Sequence, residues 1–149
     1  MSTSFFMGVD FSTYGIRFAR WKNRAENLAV CDVSKLPFNN GSFDVVVSEA
    51  VLHHLAFNFE AGVREIARVS RESLFISTLH YDHYDFLDME SVDTKYGKVF
   101  RSHYVGTDEY RMDELLRDCG FEISSAKIHT VIEKGSRVKD GIFVEAIRK

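Results

Sequence analysis

A chain of 149 residues, 45% of them apolar, supplies one packed core, and its two cysteines are too few for a disulfide framework or a thiolate metal centre. A net charge of -3, from 19 Lys and Arg against 22 Asp and Glu, argues against a nucleic-acid partner held by a broad basic face. No apolar run reaches membrane-spanning length, so the expectation is a cytoplasmic single domain over residues 1–149 that handles a small-molecule substrate, with no nucleic acid, no membrane, and Cys31 and Cys119 as reduced core thiols.

In chain order, Phe5-Phe6-Met7-Gly8-Val9 is a compact apolar run ending at Asp10, the pattern of a strand buried on both faces. Ser12 or Thr13 then caps a helix to about Arg24, with Ile16, Ala19 and Trp21 on a narrow apolar face. Leu28-Ala29-Val30-Cys31 begins a second strand. Asn39-Asn40-Gly41 is a turn and Phe43 to Val47 a third strand. Asn58 caps a helix through Ser70, striped by Phe59, Val63, Ile66 and Ala67, while Arg64, Arg68 and Arg71 read as its solvated face. Leu74 to Leu79 is a fourth strand. The aromatic, acidic stretch over 80–104 has no clear period and reads as a lid or insertion. Thr107 caps a helix carrying Met112, Leu115, Leu116 and Cys119, with Gly120 at its end. Phe121 to about Thr130 and Ile142 to Ile147 are closing strands joined by a polar link. This alternation predicts an α/β domain with a parallel sheet.

Several residues carry chemistry. Asp10, at a strand end, can accept hydrogen bonds from both hydroxyls of a ribose, or can cap the helix that follows it. Pro37, the only proline, suits a rigid loop edge. His53 and His54 can orient or remove an acidic proton, or make a structural hydrogen bond at a helix start. Alternating His80, Asp82, His83 and Asp85 could meet a divalent ion, but no partner motif completes four ligands, so no metal is expected. Tyr81, Tyr84, Phe86, Tyr96 and Tyr104 can wall an apolar pocket or form a satellite core.

The order Cys31-Asp32-Val33-Ser34-Lys35-Leu36-Pro37-Phe38, Ser42-Phe43-Asp44-Val45-Val46-Val47-Ser48 and Leu52-His53-His54-Leu55 resembles the central motifs of class I S-adenosylmethionine-dependent methyltransferases, in the small-molecule subgroup of the ubiquinone and menaquinone methylases (methyltransferase type 11). The resemblance runs from Gly8 onward, with Gly8-Val9-Asp10-Phe11-Ser12 matching the end of the family's second strand. It implies a Rossmann-like sheet, mostly parallel with an antiparallel last strand, and S-adenosylmethionine as cofactor. Asp10 and Phe11 would meet its ribose side, Asp32 its adenine amino group and Val33 the base, with Ser48 and Glu49 at the cofactor and substrate and His53 or His54 lining the catalytic pocket. Reaction would be direct displacement at the sulfonium methyl, in which the protein mainly positions and dehydrates the reactants.

The family's first strand and glycine-rich loop have no counterpart, because only seven residues precede Gly8 and none of the nine glycines forms a Gly-x-Gly pair. An N-terminally truncated sheet should then expose a strand edge or gap between the second and fourth family strands, to be closed by itself, by a homo-oligomer or by a complementing subunit. Two functions follow: methyl transfer to an unidentified small molecule, or a degenerate fold acting as a non-catalytic binding or scaffolding module. An NAD-dependent Rossmann enzyme ranks below both, since it too would need the glycine turn.

Overall fold

The computed structural model describes residues 5–22, 27–80, 91–95, 97–100, 104–133 and 136–149. Chain order begins with a βαβ unit, in which β1 (Gly8–Asp10) and β2 (Leu28–Val30) pair in parallel around α1 (Thr13–Trp21). The helix starts where expected because Ser12 Oγ accepts a hydrogen bond from the Gly15 amide at 3.0 Å, satisfying one of its orphan donors. Its strand is shorter than the apolar run suggests. Only Gly8–Asp10 is extended and paired, whereas Phe5 and Phe6 are exposed, since an apolar strand needs neighbours to bury it and β1 has one partner among the described residues.

The second sheet holds most of the core. β3 (Phe43–Glu49), β4 (Ser70–Leu79), β8 (Phe121–Glu133) and β9 (Ser136–Arg148) lie in the order β3-β4-β9-β8. β3 and β4 are parallel, while β9 runs antiparallel to both β4 and β8, so the expected antiparallel last strand is present. Between β3 and β4 come a short 3-10 segment, Leu52–Asn58, and α2 (Phe59–Val69). A small antiparallel sheet, β5 (Ser91–Thr94), β6 (Gly97–Phe100) and β7 (Tyr104–Gly106), leads into α3 (Glu109–Asp118).

Period-two alternation divides the main sheet into two unlike faces. Leu74, Ile76, Ile142, Val144 and Ala146 are buried with Val63, Ile66 and Ala67 of α2 and Met112, Leu115 and Leu116 of α3 in one cluster. The intervening residues Val45, Val47, Phe75, Phe143 and Ile147 are exposed. They share one face, because Val47 is opposite Phe75, while Ser73 and Ser77 of β4 oppose Ile147 and Phe143 of β9.

Several boundaries differ from expectation. Asp108, not Thr107, caps α3: its side chain accepts from the Arg111 amide at 2.7 Å. Thr107 is instead buried in a bridge with His80, its amide donating to Leu79 O at 3.1 Å. The presumed polar link between the closing strands is mostly strand, because Thr130, Val131 and Ile132 pair with Lys139, Val138 and Arg137. Asn58 occupies the N-cap position of α2 without a side-chain capping bond. The stretch over 80–104 is not wholly irregular, since it contains β5 and β6; residues 81–90 and 101–103, with Tyr81, Tyr84, Phe86 and the segment of the candidate ion site beyond His80, lie outside the described residues, as does Tyr96. Of the expected solvated arginine face, Arg64 is partly exposed on α2 in ion pairs with Glu60 and Asp118, whereas Arg71 lies not on the helix but on β4, where it is exposed and pairs with Asp44.

Candidate functional site

Asp10 ends β1 and Asp32 lies just beyond β2, so parallel pairing brings both carboxylates to the same end of one small sheet. Each is held by a local turn. Asp10 Oδ1 accepts from the Ser12 amide at 2.7 Å, and Asp32 Oδ1 accepts from the Ser34 amide at 2.9 Å and the Ser34 hydroxyl at 2.7 Å. The Ser34 hydroxyl, followed by its amide, holds the Asp32 carboxyl below the usual carboxylate range. Both carboxylates are exposed, as is Phe11. Val33 is half-buried and packs against the hydrophobic core, so its side chain is at least partly committed to the protein.

The loop after Asp32 is tied to α2 by a pair of side chains that sequence reasoning missed. Glu65 Oε2 accepts from the Leu36 amide at 2.7 Å. Arg68 donates to Leu36 O at 3.0 Å, Phe38 O at 2.7 Å and Asn40 Oδ1 at 2.9 Å, while its Nε bonds Glu65 Oε1 at 2.7 Å. The planar guanidinium thus satisfies backbone carbonyls that a loop would otherwise present to water. Phe38 meets Phe43 edge-on, with ring centroids 5.1 Å apart. The only legible signal was the Glu65/Arg68 spacing of one helical turn.

On the main sheet, Ser48 and Glu49 close β3. Ser48 is buried, and its Oγ has no hydrogen-bond partner among the described residues; the same holds for Thr78 Oγ1 on the neighbouring strand. Both point toward the helix-covered face, since Ser48 is opposite Ile76 and Thr78 opposite Ile142. The backbone turns sharply next: Ala50 has φ 53°, a left-handed conformation uncommon for a residue with a Cβ, and its amide donates to Ser77 O at 3.1 Å. Glu49 is exposed.

His53 and His54 sit on the 3-10 segment with ring centroids 4.1 Å apart. His53 is 7% exposed whereas His54 is exposed, so the two are not equivalent. Burial, with the neighbouring His54 second, pushes the His53 pKa down to about 4. His53 is therefore a neutral imidazole at pH 7. In the unfolded chain it takes up a proton near its ordinary value of 6.5, and the folded state resists that until about pH 4. The unfolded state binds more protons within that window, so stability is complete above it and falls as pH drops through it. Unfolding free energies from urea titrations at pH 7 and pH 5 should differ by about 1–2 kcal/mol from this group, discounted for partial solvation. His53→Gln should flatten that part of the profile, and an unchanged slope would contradict the assignment.

His80 is buried, with Nε2 3.7 Å from Glu109 Oε2. No group of three or more His, Cys, Asp and Glu suited to a metal gathers among the described residues. None of their helices is long and apolar enough to cross a membrane.

A family model described as a methyltransferase domain matches residues 2–76. The chain is similar to an S-adenosylmethionine-dependent methyltransferase from Methanosarcina mazei, with 19% identity and a TM-score of 0.71 over 95% of this chain and 81% of that one. It is also similar to a magnesium protoporphyrin IX methyltransferase from Synechocystis with bound SAH (18% identity, TM-score 0.68, 96% of this chain and 63% of that one). A third likeness is to a 1,6-didemethyltoxoflavin-N1-methyltransferase from Burkholderia thailandensis with bound 1,6-didemethyltoxoflavin and S-adenosylhomocysteine (17% identity, TM-score 0.61, 95% and 60%). The chain thus spans less than two thirds of the last two. At these identities the likeness establishes a shared Rossmann-like fold.

Proposed function

The chain belongs to the methyltransferase domain family, and from that premise we propose that it binds S-adenosylmethionine at the carboxyl ends of β1, β2 and β3 and catalyses methyl transfer to a small-molecule acceptor. The observation that carries this reading is the pair of exposed carboxylates, Asp10 and Asp32, fixed by Asp–Ser turns at the same end of two parallel strands. A ribose diol and an adenine amino group are donors that such acceptors suit. In both turns the described bonds use Oδ1, which leaves Oδ2 available to a ligand. Phe11 adds an exposed apolar ring beside Asp10. The buried Ser48 hydroxyl, lacking a protein partner among the described residues, is a further group that a ligand would satisfy. Residues present therefore fit the nucleoside end of the cofactor.

When bound, the sulfonium supplies an electrophilic methyl group. The chain's own work is then to hold the acceptor in line and to keep water out. His53 is a neutral imidazole at working pH, and because its pKa of about 4 makes it a weak base, it serves to orient an acidic acceptor more than to deprotonate it. His54, exposed beside it, can orient that acceptor. Glu49, at the end of β3, supplies a further polar contact at the boundary of cofactor and substrate.

Calorimetric titration with S-adenosylhomocysteine tests the binding step. Micromolar affinity, about 8 kcal/mol, is expected. Asp10→Ala and Asp32→Ala should each weaken it about tenfold, the value of a hydrogen bond to a charged group. A folded chain that does not bind would sink the enzyme reading and favour a non-catalytic module.

A further inference from the structure

His53 and His54 ride on a stretch of chain whose backbone is strained on either side of them. Ala50, before the 3-10 segment, has φ 53°, and Ala56, within it, has φ 46° and ψ -121°, conformations that a Cβ disfavours. Such residues persist only where surrounding contacts over-determine them. At the start, the Ala50 amide is fixed to Ser77 O of β4 at 3.1 Å. Further on, the His54 amide donates to Val51 O at 3.0 Å and the Phe59 amide to Ala56 O, bonds internal to this stretch. Those bonds leave the seating of the segment on α2 to its side chains.

Gly62 of α2 receives them. A Cβ at this position would collide with Leu55 Cδ1 and stand 3.2 Å from Leu52 Cδ2. Leu52 is fully buried, and Leu55 is partly buried against the hydrophobic core. The two leucines bracket the histidines in the chain, so where they sit decides where the imidazoles sit. Glycine forms helix less readily than alanine, and Gly62 lies inside a helix without a positive φ. Neither helix formation nor backbone conformation therefore accounts for a glycine here. The close approach of the leucines does.

We infer that Gly62 is a positioning residue of the acceptor site: the side chain it lacks is the space in which Leu52 and Leu55 seat the segment, and that seat holds His53 and His54 in place against the strain at Ala50 and Ala56. The inference rests on the reading that the histidine pair faces the methyl acceptor, and Gly62 acts on that pair only through the two leucines. The seat also accounts for the unlike burial of the pair. His53 follows the buried Leu52 directly and is itself buried, while His54, one residue on, is exposed. A Cβ at position 62 would push Leu55 away from α2, draw Leu52 with it and let the strained alanines relax. Water would then reach His53 and cancel the desolvation of its imidazole.

The test is NMR titration of the histidine ring protons in the intact chain without cofactor, the His53 signal being identified by its loss in His53→Gln. Between about pH 5 and pH 8 the wild-type signal should stay that of a neutral ring, since its pKa is about 4. In Gly62→Ala it should titrate with a midpoint above about 5, and Leu55→Ala, which empties the same seat from the other side, should do likewise. Leu116→Ala, a truncation in the core on α3, should leave the signal as in wild type. Circular dichroism and urea titration verify folding, and if Gly62→Ala does not fold, Leu55→Ala decides. A folded variant of either kind whose His53 behaves as in wild type overturns the inference, and added stability in Gly62→Ala would then be the ordinary effect of alanine in a helix. An equal change in Leu116→Ala overturns it too, because any loosening of the core would then expose His53. So does a wild-type midpoint already at the ordinary 6.5. Because neither cofactor nor acceptor enters this measurement, its failure is distinct from failure of the S-adenosylhomocysteine titration.

Discussion

Phe121→Ala is expected to remove about 3–5 kcal/mol of stability, near the total margin of a small domain. Phe121 is the largest of the fully buried side chains among the described residues and opens β8 directly after Gly120, whose φ of 80° ends α3. Its ring touches more than the core. The Arg148 guanidinium stacks 4.4 Å from the ring centroid and donates to Ala67 O at 2.8 Å and Ser70 O at 2.7 Å. Those carbonyls lie where α2 hands over to β4, so loss of the ring combines a cavity with a loosened support for that junction. The expected signature in urea is a lower midpoint with an unchanged slope. A loss under about 1 kcal/mol would mean that the core closes over the gap and that this account of the junction is wrong.

Much of the fold is legible in local patterns because local physics decides it. The β1-α1-β2 unit is announced by a strand-end Asp, a Ser cap and two short apolar runs, and each of these acts within a few residues. Asp10 and Asp32 are readable for the same reason, since each forms its turn with the serine two positions later. Thr107 and Asp108 are adjacent capping residues, and propensity does not separate them. The long-range pairing does: the bridge of Thr107 with His80, its amide donating to Leu79 O, holds Thr107 in extended structure, so the helix starts one residue later and Asp108 takes the cap. Likewise the β-branched Val131 and Ile132 extend β8 because Val138 and Arg137 pair with them, and pairing with Thr130 carries Lys139 into β9 against its low intrinsic strand preference. The role of Arg68 is hidden more deeply, because two of its partners are the carbonyls of Leu36 and Phe38, about thirty residues away and carrying no sequence signal.

Arg68→Met should therefore couple stability to ligand binding in a way that an exposed helical arginine would not. The substitution keeps the apolar stem but deletes the Arg68 donors to Leu36 O, Phe38 O, Asn40 Oδ1 and Glu65, which keeps only the Leu36 amide. Two loop carbonyls and the Glu65 carboxylate are left to find water in a partly buried place, for an expected cost of about 2–3 kcal/mol, below the range for a fully buried pair because Arg68 and Glu65 are both partly exposed. The bond from Arg68 is also the main reason that the Glu65 carboxyl lies below its ordinary range. Folding therefore gains from its ionised form above the unfolded pKa and loses that gain as pH falls through the folded value. Wild type should weaken on acidification in this carboxylate range, and Arg68→Met should show less of that weakening. If Asp32 serves the proposed nucleoside site, freeing its loop should lower S-adenosylhomocysteine affinity about tenfold although Arg68 does not touch the ligand. Glu65→Gln retains the side-chain shape and one acceptor for the Leu36 amide, so it should lose less on both measures. Equal stability of Arg68→Met and wild type would show that the loop holds itself. Lost stability with unchanged affinity would instead show that the strap serves the fold and that the position of Asp32 is set by the Ser34 turn alone.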